Sequence, residues 1–255
     1  MSVLLTAFLI YLGFGLFLYI NQRKYIYYPM PEVVPTTFPT IHIYSGFKRL
    51  RITVVNKGQP NAILYFGGSA EQVNFNAPSY QTLFPRHTTY LIHYRGYGGS
   101  PGRPTEAALY KDALVVYDRV KSQHQNISVI GRSLGSGVAT YVAANRPIDK
   151  LVLVTPFDSV QHVAQAMYPF YPISWMLTDK FDSVSRALSI TAPILILLSE
   201  QDQVIPHRHS IILANAFAPE QVSLTVIPKT NHMNLNLSSI YGENLQAFLS
   251  HTALL

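Results

Sequence analysis

The 255-residue sequence contains no cysteine. That excludes a disulfide framework, thiolate metal sites and cysteine catalysis. Charge is also scarce. Asp, Glu, Lys and Arg make up 13% of the residues, against the ~25% usual in a globular chain. Lys and Arg outnumber Asp and Glu by 19 to 13, a formal net charge of +6. The basic residues are scattered, with no Lys/Arg-rich run of the kind nucleic-acid patches show. The excess suits weak attraction to an anionic membrane surface. There is no internal repeat, no low-complexity tract and no phosphate-binding glycine loop. The stretch Gly96-Tyr97-Gly98-Gly99-Ser100-Pro101 has proline where a dinucleotide fingerprint needs its last glycine, so no cofactor is implied. Nor is a metal: His207 and His209 are two apart, a spacing that does not share a helix face.

What the chain has in plenty is apolar residues, 48% of the total. Residues 3–20 carry no charge. As a helix they would cover about 27 Å, close to the hydrocarbon thickness of a bilayer. Arg23 and Lys24 follow, then Tyr25, Tyr27 and Tyr28, the basic flank and aromatic belt of a membrane interface. A cleaved leader would have a basic start and a small-residue cleavage site. Neither is present, so residues 1–24 are expected to be a retained transmembrane anchor ahead of a domain over 25–255. The basic flank favours a cytoplasmic face for that domain.

Beyond the anchor, short apolar runs alternate with helical patterns. Strands are expected at 40–44, 50–55, 62–66, 89–94, 127–131, 151–155, 193–199 and 223–227. The first two read as a hairpin, and the later ones as strands buried on both faces. Helices are expected at 105–122, 134–145, 206–217 and 235–249. The alternation predicts an α/β fold with a mostly parallel central sheet covered on both faces. Its active site should lie beyond the carboxyl ends of the strands.

The strand at 127–131 runs into Gly131-Arg132-Ser133-Leu134-Gly135 and then a helix. This G-x-S-x-G in a strand–turn–helix setting lifts a serine hydroxyl clear of the sheet. Serine needs a base, itself held by an acid, in the chain order Ser, Asp or Glu, His. Asp202 follows the strand ending at 199, and His232 follows the strand ending at 227. Glu200 and Asp158 remain alternative acids. His42 and His93 fall inside strand candidates, and His251 near the chain end. The backbone N–H of Leu134 and one from Gly67-Gly68-Ser69-Ala70, taken as that of Ser69, are the expected oxyanion donors.

Several further stretches extend the pattern: Tyr94-Arg95-Gly96-Tyr97-Gly98-Gly99-Ser100, Pro156-Phe157-Asp158-Ser159, Lys180-Phe181-Asp182-Ser183 and Asp202-Gln203-Val204-Ile205-Pro206-His207. With the serine motif, they resemble the BEM46-like, ABHD-type branch of the α/β-hydrolase family. The resemblance implies Ser133 as nucleophile, Asp202 as acid and His232 as base. Three positions depart from it. The oxyanion loop, commonly His-Gly-Asn-Ala-Gly, reads Gly67-Gly68-Ser69-Ala70-Glu71. His93 stands where Asp is common, and Asn231 precedes His232 where Gly is common. Residues 158–191 are too long for a plain loop and predict a small helical cap, rich in aromatic residues, beside the nucleophile. The expected activity is hydrolysis of carboxylic esters, lipid-like or thioesters included. A peptidase on the same fold and a non-catalytic membrane scaffold are the rival readings.

Overall fold

A computed structural model describes residues 2–31 and 36–250; His251 lies outside them. The first helix, α1 (Ser2–Tyr27), is apolar on every side and mostly exposed. The strands that follow are β1 (Thr40–Ser45), β2 (Lys48–Val55), β3 (Asn61–Phe66), β4 (His87–Ile92), β5 (Asn126–Arg132), β6 (Leu151–Val154), β7 (Ile194–Ser199) and β8 (Val222–Ile227). They form one sheet in the order β1-β2-β4-β3-β5-β6-β7-β8. β1 pairs antiparallel with β2, and β2 with β4; every other pairing is parallel. The mostly parallel sheet is the one the alternating pattern predicts, and its architecture is the α/β-hydrolase fold that the resemblance implies.

The remaining helices are α2 (Ala77–Leu83), α3 (Glu106–Lys121), α4 (Leu134–Asn145), α5 (Val160–Met167), α6 (Ile173–Met176), α7 (His207–Ala216) and α8 (Ser239–Ser250). Strand pleating sends alternate side chains to opposite faces, and each face has its own core. Ala62, Leu64 and Phe66 pack under α3, α4 and α7. Ile63 and Tyr65 pack under α2 and α8. Thr105 caps α3, its hydroxyl accepting from Ala108 N at 3.2 Å, so the first turn begins where a side-chain acceptor is available.

Two readings from the sequence need correction. The strand expected at 89–94 sits two residues earlier, at His87–Ile92. His93 lies just past the strand's end, its N–H still donating to Arg51 O at 3.1 Å, and turns its ring to the Thr53 hydroxyl and Asn74 Oδ1, both at 3.1 Å. The helix expected at 235–249 is a 3-10 turn, Leu235–Leu237, followed by α8.

Candidate active site

Ser133 joins β5 to α4 with φ 49° and ψ −118°, a strained backbone that non-glycine residues rarely adopt. The turn is held from three directions. Ser133 N donates to Val154 O at 2.9 Å, and both Ser136 N and Ser136 Oγ donate to Ser133 O, at 2.8 and 2.6 Å. Close packing explains the flanking glycines. A methyl on Gly135 would stand 2.0 Å from the Phe66 carbonyl oxygen, and one on Gly131 2.4 Å from the Gly135 carbonyl oxygen.

Asp202 and His232 come from the loops after β7 and β8. His232 Nε2 lies 3.0 Å from Ser133 Oγ, and its Nδ1 lies 2.8 Å from Asp202 Oδ2 and 3.0 Å from Oδ1. Asp202 Oδ1 also accepts from Val204 N and Ile205 N, at 2.9 and 2.8 Å. Both side chains are buried. Burial pushes the Asp202 carboxyl up. The hydrogen bonds from His232, Ile205 and Val204 outweigh it and leave the group below its ordinary value. The three residues singled out in the sequence therefore stand in one hydrogen-bonded chain.

The two other acids go elsewhere. Asp158 is buried and accepts from His162 Nδ1 at 2.7 Å and His209 Nδ1 at 2.9 Å. Glu200 accepts from Lys229 N at 2.8 Å, which ties the β7 loop to the β8 loop. His207 donates to the Ser199 carbonyl at 2.6 Å.

Ser133 opens into a cavity of about 340 Å³ whose walls also include Ser69, Leu134, Phe157, Val160, Val163, Ile173 and Ile205. Leu18, Tyr19, Gln22, Tyr25 and Ile26 of α1 form a further part of the wall. The lining is almost wholly apolar, as ligand sites generally are.

Comparison with known proteins agrees with the fold. Residues 61–181 match the family model described as the alpha/beta hydrolase fold. The chain is 30% identical over 260 residues to the uncharacterized protein Rv2307c of Mycobacterium tuberculosis, covering 95% of this chain and 92% of that one. It is 34% identical over 146 residues to the lysophosphatidylserine lipase ABHD12 of Xenopus tropicalis, covering 49% of this chain and 38% of that protein. Among solved structures, Est1E of Butyrivibrio proteoclasticus with bound ferulic acid superposes with a TM-score of 0.68 at 18% identity, over 82% of this chain and 98% of that one. The chain belongs to the α/β-hydrolase family, as an ABHD-type member.

Within this α/β hydrolase, the departures from the family pattern have local structural reasons. Asn231 Oδ1 accepts from Met233 N at 2.9 Å and Asn234 N at 3.1 Å. This side-chain turn holds the loop where relatives rely on glycine. Gly98 packs against His93, where any Cβ would lie 2.1 Å from the ring nitrogen Nδ1. Glu71 is the largest change. Its carboxylate accepts from Gly68 N at 2.7 Å, Tyr65 Oη at 2.5 Å and Asn76 Nδ2 at 2.6 Å. Arg132 Nη1 stands 3.6 Å away, and Arg132 Nη2 donates to the His232 carbonyl at 2.8 Å. One buried ion pair thus joins the loop at Ser69, the turn at Ser133 and the loop at His232.

Sequence reasoning did not single out Glu71, Arg132 or the α1 residues in the cavity wall. A charged residue inside the glycine-serine turn, and an acid where relatives carry glycine, were the available signals for the first two.

Proposed function

We propose that this α/β hydrolase cleaves carboxylic esters through an acyl-enzyme on Ser133. The observation that carries the reading is the Ser133 Oγ–His232 Nε2 contact of 3.0 Å at the floor of an apolar cavity. Ser133 Oγ attacks the ester carbonyl while His232 Nε2 takes its proton. Asp202 holds the Nδ1–H side of the ring and stabilises the imidazolium. The N–H groups of Leu134 and Ser69 hold the oxyanion. The alcohol leaves with the proton from His232. Water, deprotonated by the same ring, then releases the acid. The long apolar α1 is read as a retained membrane anchor. Its last turns are built into the fold: Tyr27 is buried, and the Ile26 carbonyl accepts from Ser69 Oγ at 2.6 Å. An apolar cavity beside such an anchor suits a lipid-like acyl group. The lysophosphatidylserine lipase among the relatives supports the same substrate class.

The test is hydrolysis of p-nitrophenyl esters from acetate to palmitate by the full chain and by Ser133→Ala. The parent is expected to be active and the variant to lose about a thousandfold or more. Equal inactivity of both proteins on every ester overturns the reading.

A further inference from the structure

α1 is not held to the domain by its end alone. The cap lies along about half of its length. The Tyr11 ring stacks on Tyr171 with centroids 4.5 Å apart, and Tyr11 Oη donates to the Phe170 carbonyl at 2.8 Å. Gly15 lets the ring of Tyr171 approach so closely that a Cβ there would stand 2.9 Å from it. Gln22 donates to the Met176 carbonyl at 3.2 Å and accepts from Thr178 N at 2.8 Å. Arg23 pairs with Asp179 at 2.8 Å.

Two uncharged segments therefore run side by side. Residues 2–22 and residues 159–178 contain no Asp, Glu, Lys or Arg, and the first charges beyond them, Arg23 and Asp179, are paired. From that pair to Tyr11 is 12 residues of helix, about 18 Å. A hydrocarbon core is about 30 Å thick, so the stretch of α1 that carries the cap would fill more than half of it.

The cap's surface fits lipid. Met167, Phe170 and Trp175 are 63%, 84% and 88% exposed. Several carbonyls of its irregular backbone have donors, as a low-dielectric setting favours. The two Nε2 protons of Gln165 are shared among the carbonyls of Tyr168, Pro169 and Tyr171, at 3.3, 3.4 and 3.1 Å. Those of Phe170 and Met176 accept from α1, as above.

We propose that the cap and the α1 segment beside it are inserted together into one leaflet of a bilayer, with the Arg23–Asp179 pair at the headgroup level. The cavity over Ser133 then receives its ester directly from that leaflet, the acyl chain running between α1 and the cap helices α5 and α6. The substrate class is a single-chain amphiphile already resident in the membrane. This second half rests on the ester-hydrolase reading; the insertion of the cap does not.

Trp175 is the single tryptophan of the chain, so the full protein in phosphatidylcholine vesicles reports its own depth. The expected result is blue-shifted emission, strongly quenched by lipids brominated along the acyl chain and weakly by acrylamide. Water-like emission that acrylamide quenches and brominated lipid does not would overturn the insertion. So would blue-shifted emission insensitive to brominated lipid, the signature of a second copy covering the cap. For the cavity, Leu18→Phe is compared with the parent on vesicle-borne dodecanoate and acetate esters. The ratio of the two kcat/KM values should fall roughly tenfold, the scale on which apolar pockets discriminate chain size. An unchanged ratio with both esters still cleaved overturns the shared wall and leaves the ester reading intact. A parent that cleaves neither ester removes the ester reading and the substrate half together, and the Trp175 result stands apart from both.

Discussion

Removing the Glu71 carboxylate should damage stability and turnover together. Glu71 and Arg132 side chains are each 11% exposed, so truncating one strands the other in a poorly solvated site. Breaking a buried pair from one side costs about 3–5 kcal/mol. The 3.6 Å separation, and the second bond of Arg132 to the His232 carbonyl, argue for the middle of that range. Glu71→Ala is therefore expected to lose about 4 kcal/mol, or about 8–16 °C in Tm for a chain of this size. Turnover falls for a separate reason. Glu71 anchors Gly68 N, the residue before the proposed oxyanion donor Ser69. Deleting such a donor outright costs about 100–1,000-fold in kcat; misaiming it should cost about 10–100-fold, with KM little changed because the contact forms in the transition state. Glu71→Gln should recover much of the turnover, since an amide oxygen can still accept from Gly68 N, but little of the stability, since Arg132 is left without its counter-charge. Urea unfolding and p-nitrophenyl acetate kinetics on both variants check this. A loss below about 1 kcal/mol for Glu71→Ala, with kcat unchanged, would refute the role given to the pair.

Gly135→Ala puts a methyl 2.0 Å from the Phe66 carbonyl oxygen and should not yield soluble folded protein. Gly13→Ala, with nothing within 4 Å of its new carbon, should be neutral or slightly stabilising, as read by expression and thermal melts. Asp202→Asn should lower kcat on p-nitrophenyl acetate by about 10⁴-fold. Asp158→Asn, whose partners are His162 and His209, should cost far less, and parity between the two would transfer the acid's role. Burial holds His87 and His124 below the ordinary 6.5. The folded state thus disfavours their protonation, so their contribution is present above pH 6.5 and is lost as pH falls through the lowered values. Urea midpoints measured between pH 7.5 and 5 should decline, and His124→Gln should flatten part of that decline.

The legible parts of this protein were those written in contiguous residues. The Val/Ile/Leu runs of β3, β5, β6 and β7 reveal buried strands because both their faces are covered. The β5–α4 turn reveals itself through glycines that no side chain could replace. α2 escaped because seven residues starting Ala-Pro-Ser offer too little periodicity to stand out. The end of β4 was misjudged because His93 and Tyr94 are bulky enough to read as strand. Glu71 with Arg132, and Asp158 with His209, are 61 and 51 positions apart; only the folded sheet brings such residues together. The apolar length of α1 was plain in the sequence. That it forms a wall of the cavity depends on how the cap folds back along it.

The order of strands also has a dimensional consequence. The loops bearing Asp202 and His232 leave adjacent strands and are stitched by Gln201 N to Thr230 O at 2.9 Å. Their spacing is thus a short, locally gauged length. Ser133 leaves β5, three strand spacings from β8, about 14 Å of accumulated sheet. A dimension built up through that many parts would drift with every breath of the sheet. The Arg132 guanidinium, reaching from the turn beside Ser133 to the His232 carbonyl, acts as a tie-rod across it. The serine-to-histidine gap is set by one side chain and not by the sum of three strand pairings.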